Sequence, residues 1–165
     1  MRKPIIDGEV TYIPLTQGES AIIDTCELDV VDGVRWHVIR SPNTNYAGTA
    51  FTENGKRKTV RMHRILMGDP EGKEIDHING NGLDNRLANL RVVDRSKNGM
   101  NRRKQKNNKS GYKGVYLDKD SGKWRAVIKA YGKVINLGSF SSKEDAHQAY
   151  CEASKKYHGE FGRTE

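Results

Sequence analysis

The 165-residue chain contains no run approaching the roughly 18 consecutive apolar residues that a membrane helix needs. Only 35% of its residues are hydrophobic and its mean hydropathy is −0.83, so a membrane-spanning protein is excluded. No basic amphipathic helix stands out that would lay the chain on a membrane surface. The first residues, Met1-Arg2-Lys3-Pro4-Ile5-Ile6-Asp7, lack the apolar segment and cleavage site of a signal peptide, and the expected location is the cytoplasm. Cysteine is scarce: Cys26 and Cys151 stand far apart without a CxxC, which excludes a disulfide framework and a Cys-based zinc site. Both are expected as packing residues. Gly80-Asn81-Gly82 is not followed by Lys-Ser/Thr, so it is no Walker phosphate loop, and turn geometry explains it first.

What is present is positive charge, and it is unevenly placed. The 29 Lys+Arg exceed the 21 Asp+Glu by eight. Residues 1–94 hold 12 basic and 14 acidic side chains, whereas residues 95–165 hold 17 and 7, a net of +10. Arg95 to Lys113 carries eight basic residues and no acidic one, interleaved with Asn98, Asn101, Gln105, Asn107 and Asn108. A bare charge run reads as a solvated linker; amide side chains that donate to phosphates or base edges turn the expectation toward a nucleic acid.

The chain divides into an N-terminal β-rich region (1–57), a middle part (58–103), a basic linker (104–110) and a C-terminal unit (111–165). Strand-like runs at Arg35–Arg40, Asn45–Phe51 and Lys58–His63, with Asn54-Gly55 as a hairpin turn, predict a small antiparallel sheet. Asp94 is placed to cap a short helix running to about Arg103. In the last unit, runs at Tyr112–Leu117, Lys123–Ala130 and Lys133–Phe140 predict three strands. Ser141 and Glu144 then fit a capping box for a helix that Gly159 stops. Alternation puts Val115, Leu117, Trp124, Ala126, Ile128, Ile135 and Leu137 on a core face, and Tyr116, Lys123, Arg125, Val127, Lys129, Val134 and Asn136 on an exposed one. The class is α+β.

Ser110-Gly-Tyr-Lys-Gly-Val-Tyr116, Gly122-Lys-Trp-Arg-Ala-Val-Ile-Lys129, Leu137-Gly-Ser-Phe140 and Glu144-Asp-Ala-His-Gln-Ala-Tyr150 occur in order and resemble the DNA-binding domain of APETALA-type ethylene-response factors. The resemblance implies a three-stranded antiparallel sheet packed on one helix, reading the DNA major groove with its exposed face. The family's contact positions correspond to Lys113, Tyr116, Asp118, Val127, Lys129, Val134 and Asn136, several of which depart from the family's Arg, Glu and Trp, so sequence preference does not transfer. Lys113, Tyr116, Arg125, Lys129 and Asn136 are the candidate DNA contacts.

Val60-Arg-Met-His-Arg-Ile-Leu66, Ile75-Asp-His-Ile-Asn-Gly-Asn81, Asn85-Arg-Leu-Ala-Asn-Leu-Arg-Val-Val93 and a following Asn98 resemble the HNH endonucleases of homing type, found in phages and mobile elements. The resemblance implies a ββα-metal core. His77 would be the general base, Asp76 and Asn98 would hold one divalent ion, Mg²⁺ or Mn²⁺, and Asn89 would orient the catalytic loop. The residue types suit this: hard oxygens fit Mg²⁺, and an imidazole with ordinary pKa near 6.5 can take a proton from water near neutrality. Asn101, Arg102 and Arg103 are placed to bind DNA backbone. His63 is expected to be structural, and His37, His147 and His158 show no ligand spacing.

The reading is a DNA endonuclease, phage- or mobile-element-encoded, acting on double-stranded DNA as a monomer or weak dimer; the alternatives are an inactive DNA-binding regulator and an RNA-binding protein. Affinity is expected to fall by about 0.9 log units per log unit of salt for each phosphate neutralised. Removing residues 104–165 should flatten that slope, as anisotropy titrations over a salt series would measure; an unchanged slope would refute the charge assignment.

Overall fold

The computed structural model describes residues 3–102, 104, 105 and 107–164. Its backbone contacts divide the chain into two units, residues 1–93 and 94–165.

The first unit opens with an antiparallel meander of β1 (Ile5–Asp7), β2 (Val10–Pro14) and β3 (Ser20–Asp24), followed by a single turn of helix, α1 (Leu28–Val31). A second sheet has the order β4 (His37–Ile39), β5 (Tyr46–Glu53), β6 (Lys56–Arg61). The turn between β5 and β6 is built on Asn54 (φ 52°) and Gly55 (φ 72°), the paired positive φ angles that match strand twist in a two-residue hairpin. Helix α2 (Met62–Leu66) follows at once, and β7 (Glu74–His77) pairs antiparallel with β8 (Leu90–Val93).

Three differences from expectation appear here. The meander was not foreseen, because its strands are short and two of its three residues in β1 are exposed isoleucines. The strand expected over Lys58–His63 ends at Arg61, and His63 lies on a helix. The division at residue 57 also fails: Ile13, Leu15, Ala21, Ile23, Val31, Trp36, Val38, Ala47 and Met62 form one buried cluster across it. A parallel bridge strengthens the union, Ile22 N donating to Leu83 O (2.8 Å) and Asn85 N to Ile22 O (2.7 Å).

The second unit contains α3 (Arg95–Met100), then β9 (Val115–Leu117), β10 (Trp124–Ala130) and β11 (Lys133–Phe140) in the sheet order β11-β10-β9, and α4 (Lys143–His158). Val115, Ala126 and Ala146 form one buried cluster, and Ile128, Tyr150 and Ala153 another, so α4 covers the sheet as its apolar spacing requires. Its cap is Ser142, whose hydroxyl accepts from Asp145 N (3.0 Å), one residue later than the expected Ser141. Helix α3 stops at Met100 rather than near Arg103, leaving Asn101 and Arg102 beyond its end. Leu117, expected in the core, is 48% exposed at the last position of β9.

The end of the expected linker is bonded into the chain that follows it. Asn108 Nδ2 donates to Tyr112 O, its Oδ1 accepts from Gly111 N, and the buried Ser110 hydroxyl donates to Val115 O (2.7 Å). These bonds tie Asn108 and Ser110 to the segment that enters β9.

Gly114 is conformationally required. Its φ is +71°, and a Cβ there would collide with the Tyr150 ring and Val127 O. Gly114→Ala is expected to destabilise the second unit by about 2–4 kcal/mol through overpacking and left-handed strain. Thermal melting checks it; a change below about 0.5 kcal/mol would contradict the packing described.

Candidate active site and nucleic-acid interface

Asp76 and His77 end β7, and the loop returning to β8 is dense in Asn, Asp and Gly, residues whose side chains bond their own backbone in turns. Asn79 and Asn81 do so, accepting from Asn81 N (2.8 Å) and Leu83 N (3.1 Å). Asn89, buried, ties the loop across: its Oδ1 accepts from Asn79 N (3.0 Å), and its Nδ2 donates to Asp84 O (2.7 Å) and Asn79 Oδ1 (3.1 Å). Asp84 is buried but satisfied, receiving Asn79 Nδ2 (2.8 Å) and a two-pronged Arg86 (2.8 and 2.7 Å). Those donors hold its carboxyl below the usual range, Arg86 contributing most. Gly82 lets the loop close, since a Cβ there would sit 2.5 Å from Asn45 O and 2.6 Å from the Tyr46 ring.

His77 is 5% exposed. Asn85 Nδ2 donates to Leu83 O (3.1 Å), which orients its amide so that Oδ1 faces His77 Nε2 at 3.4 Å. In the tautomer that donates Nε2–H to this oxygen, Nδ1 is the basic nitrogen. Burial pushes the pKa of His77 below its ordinary value, partly offset by the Asn85 bond and by Asp76 and Asp84. The ring of His63 meets His77 edge-on at 4.9 Å, and Tyr46 touches both at 5.8 Å. His63 is 3% exposed and its Nδ1 has no hydrogen-bond partner; burial, then His77, lowers its pKa to about 3. Burial therefore favours the neutral form of both imidazoles.

Asp76 is buried and faces Arg91 across the β7–β8 pair; Arg91 Nε and Nη2 reach its Oδ2 at 3.0 and 2.8 Å. Asn98 lies on α3, in the second unit. No group of three or more His, Cys, Asp or Glu able to enclose a metal exists among the described residues. The carboxylate of Asp76 is a hard oxygen donor of the kind that Mg²⁺ or Mn²⁺ takes in an open site completed by substrate oxygens rather than in an all-protein cage. Asn85, Tyr46 and Arg91 were not expected at the site and His63 was expected to be structural; Asn85, Arg91 and His63 lie in the HNH-like segments, whereas Tyr46 carried no signal.

In the second unit, Tyr116, Lys129 and Asn136 stand exposed on the sheet face, and Arg102 is exposed beside the segment leading to it. A groove of about 640 Å³ is lined by Arg102, Lys104, Lys109, Lys113, Tyr116 and Lys129, with no acid among the described residues lining it. Two expected contacts are otherwise engaged. Lys113 Nζ donates to Met100 O (2.8 Å) and Arg163 O (3.0 Å), and burial lowers its pKa to about 8, which makes it a tie within the unit. Arg125 Nε lies 2.8 Å from Asp118 Oδ2. Asn101 is half-buried, and Arg103 lies outside the described residues.

Comparison with known proteins finds two family models on the chain. The family model described as HNH endonuclease matches residues 68–100, and the AP2 domain matches residues 110–160. The chain is 37% identical over 94 residues to "Protein 3.8" of Escherichia phage T7, covering 57% of this chain and 77% of that protein. No solved structure matches. No described helix is long and apolar enough to cross a membrane.

The buried imidazole gives a pH signature. With His63 near 3 in the fold and near 6.5 when unfolded, the unfolded chain binds more protons throughout that window. Stability of the first unit therefore falls as pH drops from 6.5 toward 3, by at most about 1.4 kcal/mol per pH unit. Melting temperatures between pH 7 and 4.5 should decline steeply, and less so in folded His63→Gln; equal declines would contradict the assignment.

Proposed function

From the premise that the chain belongs to the family of phage T7 Protein 3.8, with an HNH endonuclease segment followed by an AP2 domain, we propose that it is a metal-dependent, homing-type DNA endonuclease. The observation that carries this reading is the buried His77, its Nε2 facing the amide oxygen of Asn85 and its neighbour in the chain the buried carboxylate of Asp76.

In the reaction, His77 Nδ1 takes a proton from water as the water oxygen bonds to phosphorus, and the bond to the 3′ oxygen breaks. Asp76 would be a ligand of a divalent ion, Mg²⁺ or Mn²⁺, and the family resemblance names Asn98 as a second. Such an ion would neutralise charge on the departing oxygen. Asn85 keeps its acceptor toward Nε2 and so stabilises the imidazolium that forms. Asn89 acts at one remove, fixing the loop on which Asn85 sits. The AP2 sheet, through Tyr116, Lys129, Asn136 and the basic groove, supplies duplex binding, and Arg102 adds backbone contact.

A second reading rests on one observation. Arg91 already neutralises Asp76, an arrangement that suits a DNA-binding regulator whose nuclease centre is silent. Supercoiled plasmid carrying the recognised site, incubated with Mg²⁺, separates the two. The parent chain should nick or linearise it, and His77→Ala and Asp76→Asn should each be slower by about 100-fold or more. Parent activity no greater than that of the variants would leave only the regulator.

A further inference from the structure

The most basic element of the first unit lies in neither family match. Strand β6 reads Lys-Arg-Lys-Thr-Val-Arg: four of its six residues are cationic, in a stretch of the chain whose charges otherwise lean acidic. β4 pairs with β5 only as far as Gly48. Beyond it β5 and β6 run on as a two-stranded ribbon, in register from Thr49↔Val60 to Glu53↔Lys56, with no third strand among the described residues.

The two faces of the ribbon differ. Side chains that are cross-strand partners share a face, and successive ones alternate. One face carries Glu53, Phe51, Lys56 and Lys58, and there Lys58 is paired with Glu53, the one acid of the ribbon. The other carries Thr52, Ala50 and Gly48 opposite Arg57, Thr59 and Arg61. On this second face two exposed arginines are separated only by small side chains, and no carboxylate shares it. Four residues of strand place them about 13 Å apart at the backbone, too far for one phosphate and suited to two.

This face leads to the reactive histidine. The Arg61 guanidinium lies 4.6 Å over the Tyr46 ring, and Tyr46 sits 5.8 Å from the His77 ring. The charge of Arg61 is near enough to act on the pKa of both His63 and His77. A line of His77, Tyr46, Arg61 and Arg57 therefore runs outward along one surface.

We propose that the β5–β6 ribbon is a DNA-backbone arm of the first unit, with Arg57 and Arg61 gripping successive phosphates of the duplex beside His77. Its place beside a reactive His77 rests on the nuclease reading; the binding does not. The physical need is local. With 12 basic against 14 acidic side chains in residues 1–94, the overall charge of this part does not draw a polyanion, so a phosphodiester is brought to a buried His only by cations placed next to it. Small neighbours let the ribbon backbone approach the DNA closely, and arginine suits phosphate through paired donors. A two-stranded ribbon is also of a width that the major groove admits.

The test uses the full chain with EDTA present to suppress cleavage and a fluorescein-labelled random 30-bp DNA duplex, titrated by anisotropy from 50 to 200 mM salt. Arg57→Gln and Arg61→Gln should each lower the slope of log affinity against log salt by about 0.9, and the double variant by about 1.8. For one arginine this is about a 3.5-fold smaller loss of affinity over that salt range. Arg57→Lys should keep the parent slope, and Lys58→Gln, on the opposite face, should leave it unchanged. A double variant that melts like the parent yet keeps the parent slope would overturn the arm, as would Lys58→Gln lowering the slope equally. An arginine-dependent slope larger on a 30-bp RNA duplex than on DNA would also overturn it, making RNA the partner. Plasmid cleavage by the parent chain reports the nuclease reading separately: slope loss without parent cleavage keeps the arm and removes the nuclease, and cleavage without slope loss does the reverse.

Discussion

The buried side chain of Asn89 is the constraint on which the first unit's site depends. A primary amide has two donors and an acceptor to satisfy, and here they close a ten-residue excursion of chain by bonding Asn79 and Asp84. Left unpaired in that place they would each cost about 1–3 kcal/mol, so the loop is held in the one conformation that pairs them. That conformation sets Asn85 against His77, exposes Asn85 N to Ile22 O, and brings Gly82 against Tyr46. The N-terminal meander is thereby part of the scaffold of this loop, since β3 supplies the strand on which the loop rests.

Burial then sets the chemistry. His63, His77 and Tyr46 pack ring to ring, and desolvation disfavours the imidazolium of either histidine. A neutral imidazole is a base; a charged one is not. The acids around His77 work in the opposite direction, so its basicity is set by a balance between a dry pocket and the carboxylates of Asp76 and Asp84. Arg91 weakens the first of these by pairing with it, and Arg86 the second.

How far this was legible in the sequence depends on the kind of interaction. The sheet-and-helix unit was visible because strands and helix each bury one periodic face; strand bounds moved by a few residues and the cap by one, from Ser141 to Ser142. The order Asp76, His77, Asn89, Asn98 was visible because it is a local motif. What was not visible is long-range. Nothing in the sequence around Asn85 says that its amide faces His77, nor around Arg91 that it lies across from Asp76, since cross-strand partnership is fixed by register rather than by neighbours in the chain. The same holds for Lys113: its residue type suited a phosphate, but its ammonium is spent on two backbone carbonyls that only the fold brings near.

Summed charge misleads for a related reason. A net of +10 in residues 95–165 puts the larger positive charge in the second unit, which also holds a groove lined by cations. The same sum makes the first part look indifferent to DNA, because the acids of β1, β3, α1 and their turns cancel β6 on paper. Screening limits such cancellation in water: charges farther apart than about 8–10 Å act nearly independently. A phosphate close to Arg57 or Arg61 would respond to those guanidiniums and little to any acid beyond that range. Charge therefore has to be counted by face and by element, and by that count both units have a cationic surface.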